Sequence, residues 1–333
     1  MYACCFNLCI YLYLMQRILI IQTAFLGDVI LATPIASELK RIYPSASIDF
    51  LVKKGNESLL SNNPNLHEVF IFDKQKGKYR SMLQLIKTFR RNRYDLVINL
   101  HRYASSGLIT VLSGAQKKYG FAKNPLSLFY TQKFEHKIGN GKHEVERNLS
   151  LIQAFGAAAK LRPSLYPSQE DEMKIKTYIS EPFITMAPSS VWFTKMLPQD
   201  KWIALIKSFP KTQKIFLLGG KSDEELCNSI KEQTETWSVV NLAGELGLLA
   251  SAALMEKAQR NYVNDSGPLH IASAMNAPTT AFFCSTVPDF GFGPLADDAQ
   301  VKQVENLSCK PCGIHGHHQC PKGHFDCGHL MKL

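Results

Sequence analysis

Two junctions constrain this chain more than anything else in it. At Ile18–Pro34 (ILIIQTAFLGDVILATP) an apolar run of strand length ends in Gly27-Asp28 and passes into a helical pattern. At Tyr262–Ala274 (YVNDSGPLHIASA) a second apolar run ends in the polar turn Asn264-Asp265-Ser266-Gly267, and a helical pattern follows. A strand that feeds a helix through a tight turn is the unit of parallel-sheet α/β folds, and ligands bind in the crevice at the carboxyl ends of such strands. One junction in each half of the chain implies a two-domain α/β enzyme with its site between the halves.

The rest of the sequence repeats the alternation. Ile18–Gln22, Ile48–Val52, Val69–Phe72 and Leu96–Leu100 read as strands, with helices at Asp28–Arg41, Glu57–Ser61, Met82–Phe89 and Glu144–Phe155. The pattern resumes with strands at Phe183–Met186, Lys214–Leu218, Asn261–Val263 and Thr279–Cys284. Helices are expected at Gln199–Ser208, Asp223–Glu232, Leu248–Lys257 and Pro268–Met275. Strand and helix at such short intervals are the signature of mostly parallel sheets covered on both faces. A chain of 333 residues is long enough for two cores. The expected boundaries are a first domain over 15–160, a linker region over 161–181, a second domain over 182–305 and a Cys/His-rich tail over 306–333.

Residues 1–14 (MYACCFNLCIYLYL) are almost wholly apolar. They are too few to span a bilayer and lack the basic lead and cleavage site of a signal peptide. Met15 is a natural start for the first strand, so residues 1–14 read as a mis-assigned start or as a short surface-associating extension. Lys plus Arg exceed Asp plus Glu by 38 to 28, a net charge of +10. That excess suits an anionic partner, whether nucleotide, nucleic acid, phosphorylated glycan or acidic lipid surface. Nine cysteines without an export signal point to a reducing compartment. Cys309, Cys312, Cys320 and Cys327 crowd the end of the chain beside His315, His317, His318, His324 and His329. Their spacing fits a small structural zinc site, and fits equally well reduced thiols packed in a loop.

Each candidate side chain has a plain role and a chemical one. Asp28 is a helix cap, or a carboxylate kept ionised by the helix end that serves as general base. Asp265-Ser266-Gly267 opens a helix whose free N–H groups suit a phosphate, with His270 one turn beyond Ser266 on the same face. Lys195 is a solvated loop residue, or a point charge for a diphosphate. Glu224 follows the strand end Gly219-Gly220, where a carboxylate is placed to accept both hydroxyls of a ribose or simply to open a helix. No GxGxxG is present, so the dinucleotide fingerprint is absent.

Four segments in register, LGDVILATP, GGKSDEE, GELGLLASAALMEKAQ and NDSGPLHIASA, resemble the bacterial lipopolysaccharide heptosyltransferases of glycosyltransferase family 9. Matching stretches cover nearly all of residues 16–330, and the cysteine tail resembles the heptosyltransferase II branch. The resemblance implies a GT-B fold: two facing Rossmann-like domains with parallel sheets, acceptor on the first and ADP-heptose on the second. It implies an inverting transfer with no required cofactor. Asp28 then matches the general base, Lys195 the lysine on the donor phosphates and Glu224 the carboxylate on the adenosine ribose. Asp265 matches a residue that holds heptose hydroxyls, Ser266 and Gly267 the amides on the diphosphate, and His270 a residue near the sugar. Asn124–Tyr130 and His143–Arg147 resemble the acceptor side, with Arg147 the candidate for an acidic core sugar or its phosphate.

The expected function is transfer of heptose from ADP-heptose to the lipid-linked inner core of lipopolysaccharide, by a cytoplasmic protein peripheral to the anionic inner-membrane surface. A related transferase using another nucleotide sugar for a surface glycan is the first alternative. A zinc-stabilised nucleic-acid-binding protein is the second. The sequence reading finds no basic helix, no aromatic–basic interleaving and no finger repeats for it, so no nucleic acid partner is expected.

Overall fold

Runs such as Arg17–Ile21 (RILII), Phe183–Ala187 (FITMA) and Thr279–Phe283 (TTAFF) have no polar face to give to water. They are stable only inside a sheet covered on both sides, and that is where they lie in the computed structural model, which describes residues 15–75 and 77–333. The reading of residues 1–14 falls outside the described residues. The chain forms two units. The first runs to Ile138 and includes Glu144–Pro163; the second holds Gly139–His143 and Ser164–Leu333.

The first unit carries strands β1 (Arg17–Ile21), β2 (Ser47–Lys53), β3 (Glu68–Phe72), β4 (Leu96–Asn99), β5 (Lys117–Phe121) and β6 (Gln132–Phe134). They form one parallel sheet in the order β3-β2-β1-β4-β5-β6. Its helices are α1 (Leu26–Ile30), α2 (Thr33–Ile42), α3 (Lys78–Asn92), α4 (Ala104–Leu112) and α5 (Glu144–Leu149). Leu19, Ile21, Leu51, Phe72, Phe89 and Val97 belong to one buried cluster on this sheet.

The second unit carries β7 (Phe183–Ala187), β8 (Lys214–Leu217), β9 (Val239–Asn241), β10 (Asn261–Asn264), β11 (Thr279–Phe283) and β12 (Ala299–Gln303). This sheet is also parallel, in the order β12-β11-β10-β7-β8-β9. Its helices are α6 (Gln169–Ile175), α7 (Gln199–Lys207), α8 (Glu224–Thr234), α9 (Leu248–Lys257), α10 (Gly267–Ala274) and α11 (Asp326–His329). The core of this unit includes Met186, Trp202, Leu217 and Phe282, and also Cys227, Cys284 and Cys327.

Several expectations are corrected. The helix expected over Asp28–Arg41 is two helices. Pro34 in the first turn of α2 has no N–H to continue α1, and Thr33 Oγ1 instead donates to the Ile30 carbonyl at 2.8 Å. The helix expected over Glu144–Phe155 tightens into a 3-10 helix from Ser150. The stretch around 157–181, expected to be part linker and part helix, holds α6, started by a capping box of Ser168 and Asp171. The statement that the chain has no basic helix fails on α3, whose exposed side carries Arg80, Lys87, Arg90 and Arg91. Among the described residues no helix is long and apolar enough to cross a membrane.

Candidate active site

In the second sheet, all of whose strands are parallel, the order in which the strands are laid down reverses between β7 and β10. The carboxyl ends of those two strands bring the candidate donor residues together. After β7 a short 3-10 helix, Phe193–Lys195, presents Lys195, and after β10 comes Asp265. Lys195 Nζ and Asp265 Oδ2 are 2.7 Å apart, with the carboxylate side chain only 6% exposed. Thr286, just beyond β11, donates to the same oxygen at 2.6 Å. Asn264 locks the two segments: its amide donates to the Pro188 carbonyl at 2.8 Å and its oxygen accepts from the Leu197 N–H at 2.9 Å.

Ser266 is the N-cap of α10; Pro268 has no N–H and the Leu269 N–H donates to the Ser266 carbonyl at 3.1 Å, so the amides of Ser266 and Gly267 are the ones at this helix start that suit an anion. His270 lies one turn inside α10 and is buried, its ring centre 6.5 Å from that of Phe292. Glu224 is the first residue of α8, and Lys221 Nζ lies 2.5 Å from its Oε2. The turn before it depends on a residue that the sequence reading passed over. Asp223 accepts from the Gly220 N–H at 2.8 Å and from the Ser189 hydroxyl at 2.7 Å. A side chain at Gly219 would meet Asp223 Cβ at 2.8 Å, so only glycine closes this turn.

The tail reaches the lysine loop directly. Thr194 N–H donates to the His317 carbonyl at 3.1 Å, and His317 N–H donates to Thr194 Oγ1 at 2.8 Å. Ser285 joins them through its hydroxyl, at 3.0 Å from Thr194 Oγ1. Gly316 sits against Lys195 so closely that a Cβ there would lie 2.9 Å from the lysine Cγ. Lys310 fastens the tail to the sheet by donating to the Phe283 carbonyl at 2.8 Å. Cys327 is buried in the core, and the Cys312 thiol donates to the Cys309 carbonyl at 3.0 Å. Among the described residues, the one group with three metal-ligating atoms within 4.8 Å of one another is Asp49, His67 and Glu68. The sulfurs of Cys309, Cys312, Cys320 and Cys327 do not converge in that way.

In the first sheet the strand order reverses between β1 and β4, which run parallel. Asp28 follows β1, in the first turn of α1, and its Oδ2 accepts from the Phe25 N–H at 3.0 Å. It is a capping carboxylate at the start of α1. Across the reversal, Thr23 Oγ1 and His101 Nδ1 share a hydrogen bond of 2.8 Å. Burial, and then the charges of Lys74, Arg102 and Lys53, push the His101 imidazole down to about 4. Burial also lowers the Lys53 amine, Lys74 adds to this, and Asp28 opposes it. Asn124 ties its segment to the same edge, donating to the His101 carbonyl at 2.9 Å.

His101, Lys53 and Lys74 were missed in the sequence. The signal that finds them is position: Lys53 ends β2, and Lys74 and His101 follow β3 and β4, strands whose carboxyl ends lie on the edge that holds Asp28. Arg147 is the opposite case. It is 2% exposed, and its Nε donates to Glu144 Oε2 at 2.7 Å. Burial works to raise the Glu144 carboxyl, but His136 and Arg147 hold it below its usual value. The guanidinium is held within the protein by this pair, on the helix that the resemblance sets on the acceptor side.

The sequence profile of Glycosyltransferase family 9 (heptosyltransferase) matches residues 82–322. Lipopolysaccharide heptosyltransferase 3 of Escherichia coli K12 is 30% identical over 278 residues, covering 78% of this chain and 80% of the relative. Among solved structures, the family 9 glycosyl transferase from Veillonella parvula superposes with a TM-score of 0.77 at 23% identity, covering 87% of this chain and 86% of that one. The E. coli ADP-heptose lps heptosyltransferase II gives 0.74 at 23% identity, covering 93% and 97%. The fold is therefore of the GT-B class, and the chain belongs to glycosyltransferase family 9, the heptosyltransferases.

Proposed function

We propose that this enzyme transfers heptose from ADP-heptose to the inner core of lipopolysaccharide, with inversion at the sugar. The observation that carries the reading is the Lys195–Asp265 ion pair at the carboxyl ends of β7 and β10, where the strand order reverses and α10 begins. This is a donor site built for a leaving diphosphate. Lys195 and the amides of Ser266 and Gly267 neutralise the charge that gathers on ADP as the C1–oxygen bond breaks. Asp265 orients the lysine and takes sugar hydroxyls, His270 lies along the sugar, and Glu224 accepts from the ribose. On the other unit Asp28 removes the proton from the acceptor hydroxyl as the new glycosidic bond forms. Arg147 supports the acceptor side from within, through Glu144. Lysine and helix N–H groups supply the positive charge, so this chemistry needs no metal ion. The site faces the cytoplasm at the inner membrane, where the nucleotide sugar is available.

The branch within the family follows from the acceptor. The cysteine tail supports heptosyltransferase II, whereas the 30% identity to heptosyltransferase 3 supports a later addition. Purified enzyme with ADP-heptose and core acceptors carrying no, one or two heptoses should add one heptose mass to a single class, and that class names the branch. No transfer to any of them, with transfer from another nucleotide sugar, would overturn the donor assignment.

A further inference from the structure

Eight Lys or Arg residues and no acid lie between Asp73 and Asp95, whereas the whole chain has a net charge of +10. Helix α3 carries most of this run. Its inward face, Met82, Leu85, Ile86 and Phe89, is buried in the first unit's core. At 100° per residue the remaining arc holds Tyr79, Arg80, Leu83, Lys87, Arg90 and Arg91, all of them exposed. Tyr79 and Leu83 are 71% and 63% exposed, and they lie one turn apart among the cations.

Helix stability does not account for this pattern. Lys78 and Arg80 stand in the first turn with no acid beside them, at the positive end of the helix dipole where cations are unfavourable. Successive turns place like charges next to one another. A face that repels itself and holds two large apolar side chains in water is matched to an anionic surface with an apolar interior.

We propose that the outer face of α3 docks on a bilayer of anionic lipid. Cations at the headgroups and Tyr79 and Leu83 at the acyl boundary are the two halves of interfacial binding. A nucleic acid would use the charge and leave Leu83 unexplained. The helix follows β3, so its first turn lies at the edge of the sheet that holds Asp28. The run of charge continues to that edge through Lys74, which acts on Lys53 and His101. Docking by α3 thus sets Asp28 close to the lipid surface. The choice of a bilayer as partner rests on the lipid-linked acceptor of the proposed function.

Co-sedimentation of the full chain with phosphatidylglycerol-containing vesicles tests the proposal without any transfer reaction, so its failure is separate from failure of the proposed activity. Arg80→Glu with Lys87→Glu should weaken vesicle binding at least tenfold. Lys207→Glu with Lys231→Glu, the same charge change on exposed sites of the second unit, should change it less than twofold. Leu83→Gln should weaken binding several-fold even in high salt, where charge is screened. Every variant keeps residues 1–14, so the differences belong to α3. Equal losses from both charge pairs would overturn the proposal, as would unchanged binding on loss of Leu83. Tighter binding of the wild-type chain to a random DNA duplex than to the vesicles would overturn it in favour of nucleic acid.

Discussion

His101 occupies the place where the first sheet reverses, and its environment has a consequence for acid stability. Its ordinary value is 6.5 and its folded value is about 4. Between the two the unfolded chain binds the extra proton, so this group takes nothing from stability above pH 6.5, takes progressively more as pH falls, and has its full destabilising effect below pH 4. The shift corresponds to roughly 3 kcal/mol at most. Urea unfolding of wild type and His101→Gln should therefore give curves that converge as pH drops through this window. Parallel curves would show that the imidazole is not held neutral. Single residues were legible in the sequence where a turn forces them into view. Asp28 and Asp265 stand out because each follows an apolar strand and opens a helix. His101 does not, because a histidine in a loop has no pattern, and only the folded sheet brings it to Thr23.

At the scale of elements, the tail is the part whose role the sequence left most open. It packs Cys327 into the core, leaves Cys309, Cys312 and Cys320 partly exposed, and lays Gly316 against the lysine loop. Gly316 and Gly323 have nearly the same backbone, with φ of +77° and +78°, but a Cβ at Gly323 meets nothing within 4 Å. Alanine at either site costs about 1–2 kcal/mol for the left-handed conformation. Only Gly316→Ala also crowds Lys195, so it should weaken ADP binding several-fold while Gly323→Ala leaves it unchanged. Equal ADP affinities by calorimetry would dissociate the tail from the donor site.

The same packing divides the thiols. Burial pushes Cys227 and Cys327 up to about 12 and Cys284 higher still. In the folded protein a maleimide should modify Cys309, Cys312 and Cys320, which are partly exposed, and spare the other three until urea is added. Peptide mapping that finds Cys327 labelled as fast as Cys309 would contradict the packing. Most central strands were legible because they are apolar runs, but β5, Lys117–Phe121 (KKYGF), was missed because two lysines and a glycine break its run. The strands β6 and β12 were not, since edge strands such as Gln132–Phe134 and Ala299–Gln303 stay partly in water and carry no such run. Helix α4 was hidden by Ser105, Ser106 and Gly107, which carry little helical preference of their own.

For the whole molecule, net charge alone chose no partner, because a count does not say where the charge lies. Its concentration on one helix face became visible only when α3 was seen to bury the opposite face. The division of labour between the two units is the central claim: donor chemistry on the second, acceptor deprotonation by Asp28 on the first. Asp28→Asn tests it most directly, with ADP-heptose binding and single-turnover heptose transfer measured on the same preparation. Loss of a general base should slow transfer by about 10²–10⁴-fold and leave donor affinity within about twofold. Near-full transfer by the variant would contradict the account and return Asp28 to the role of a helix cap.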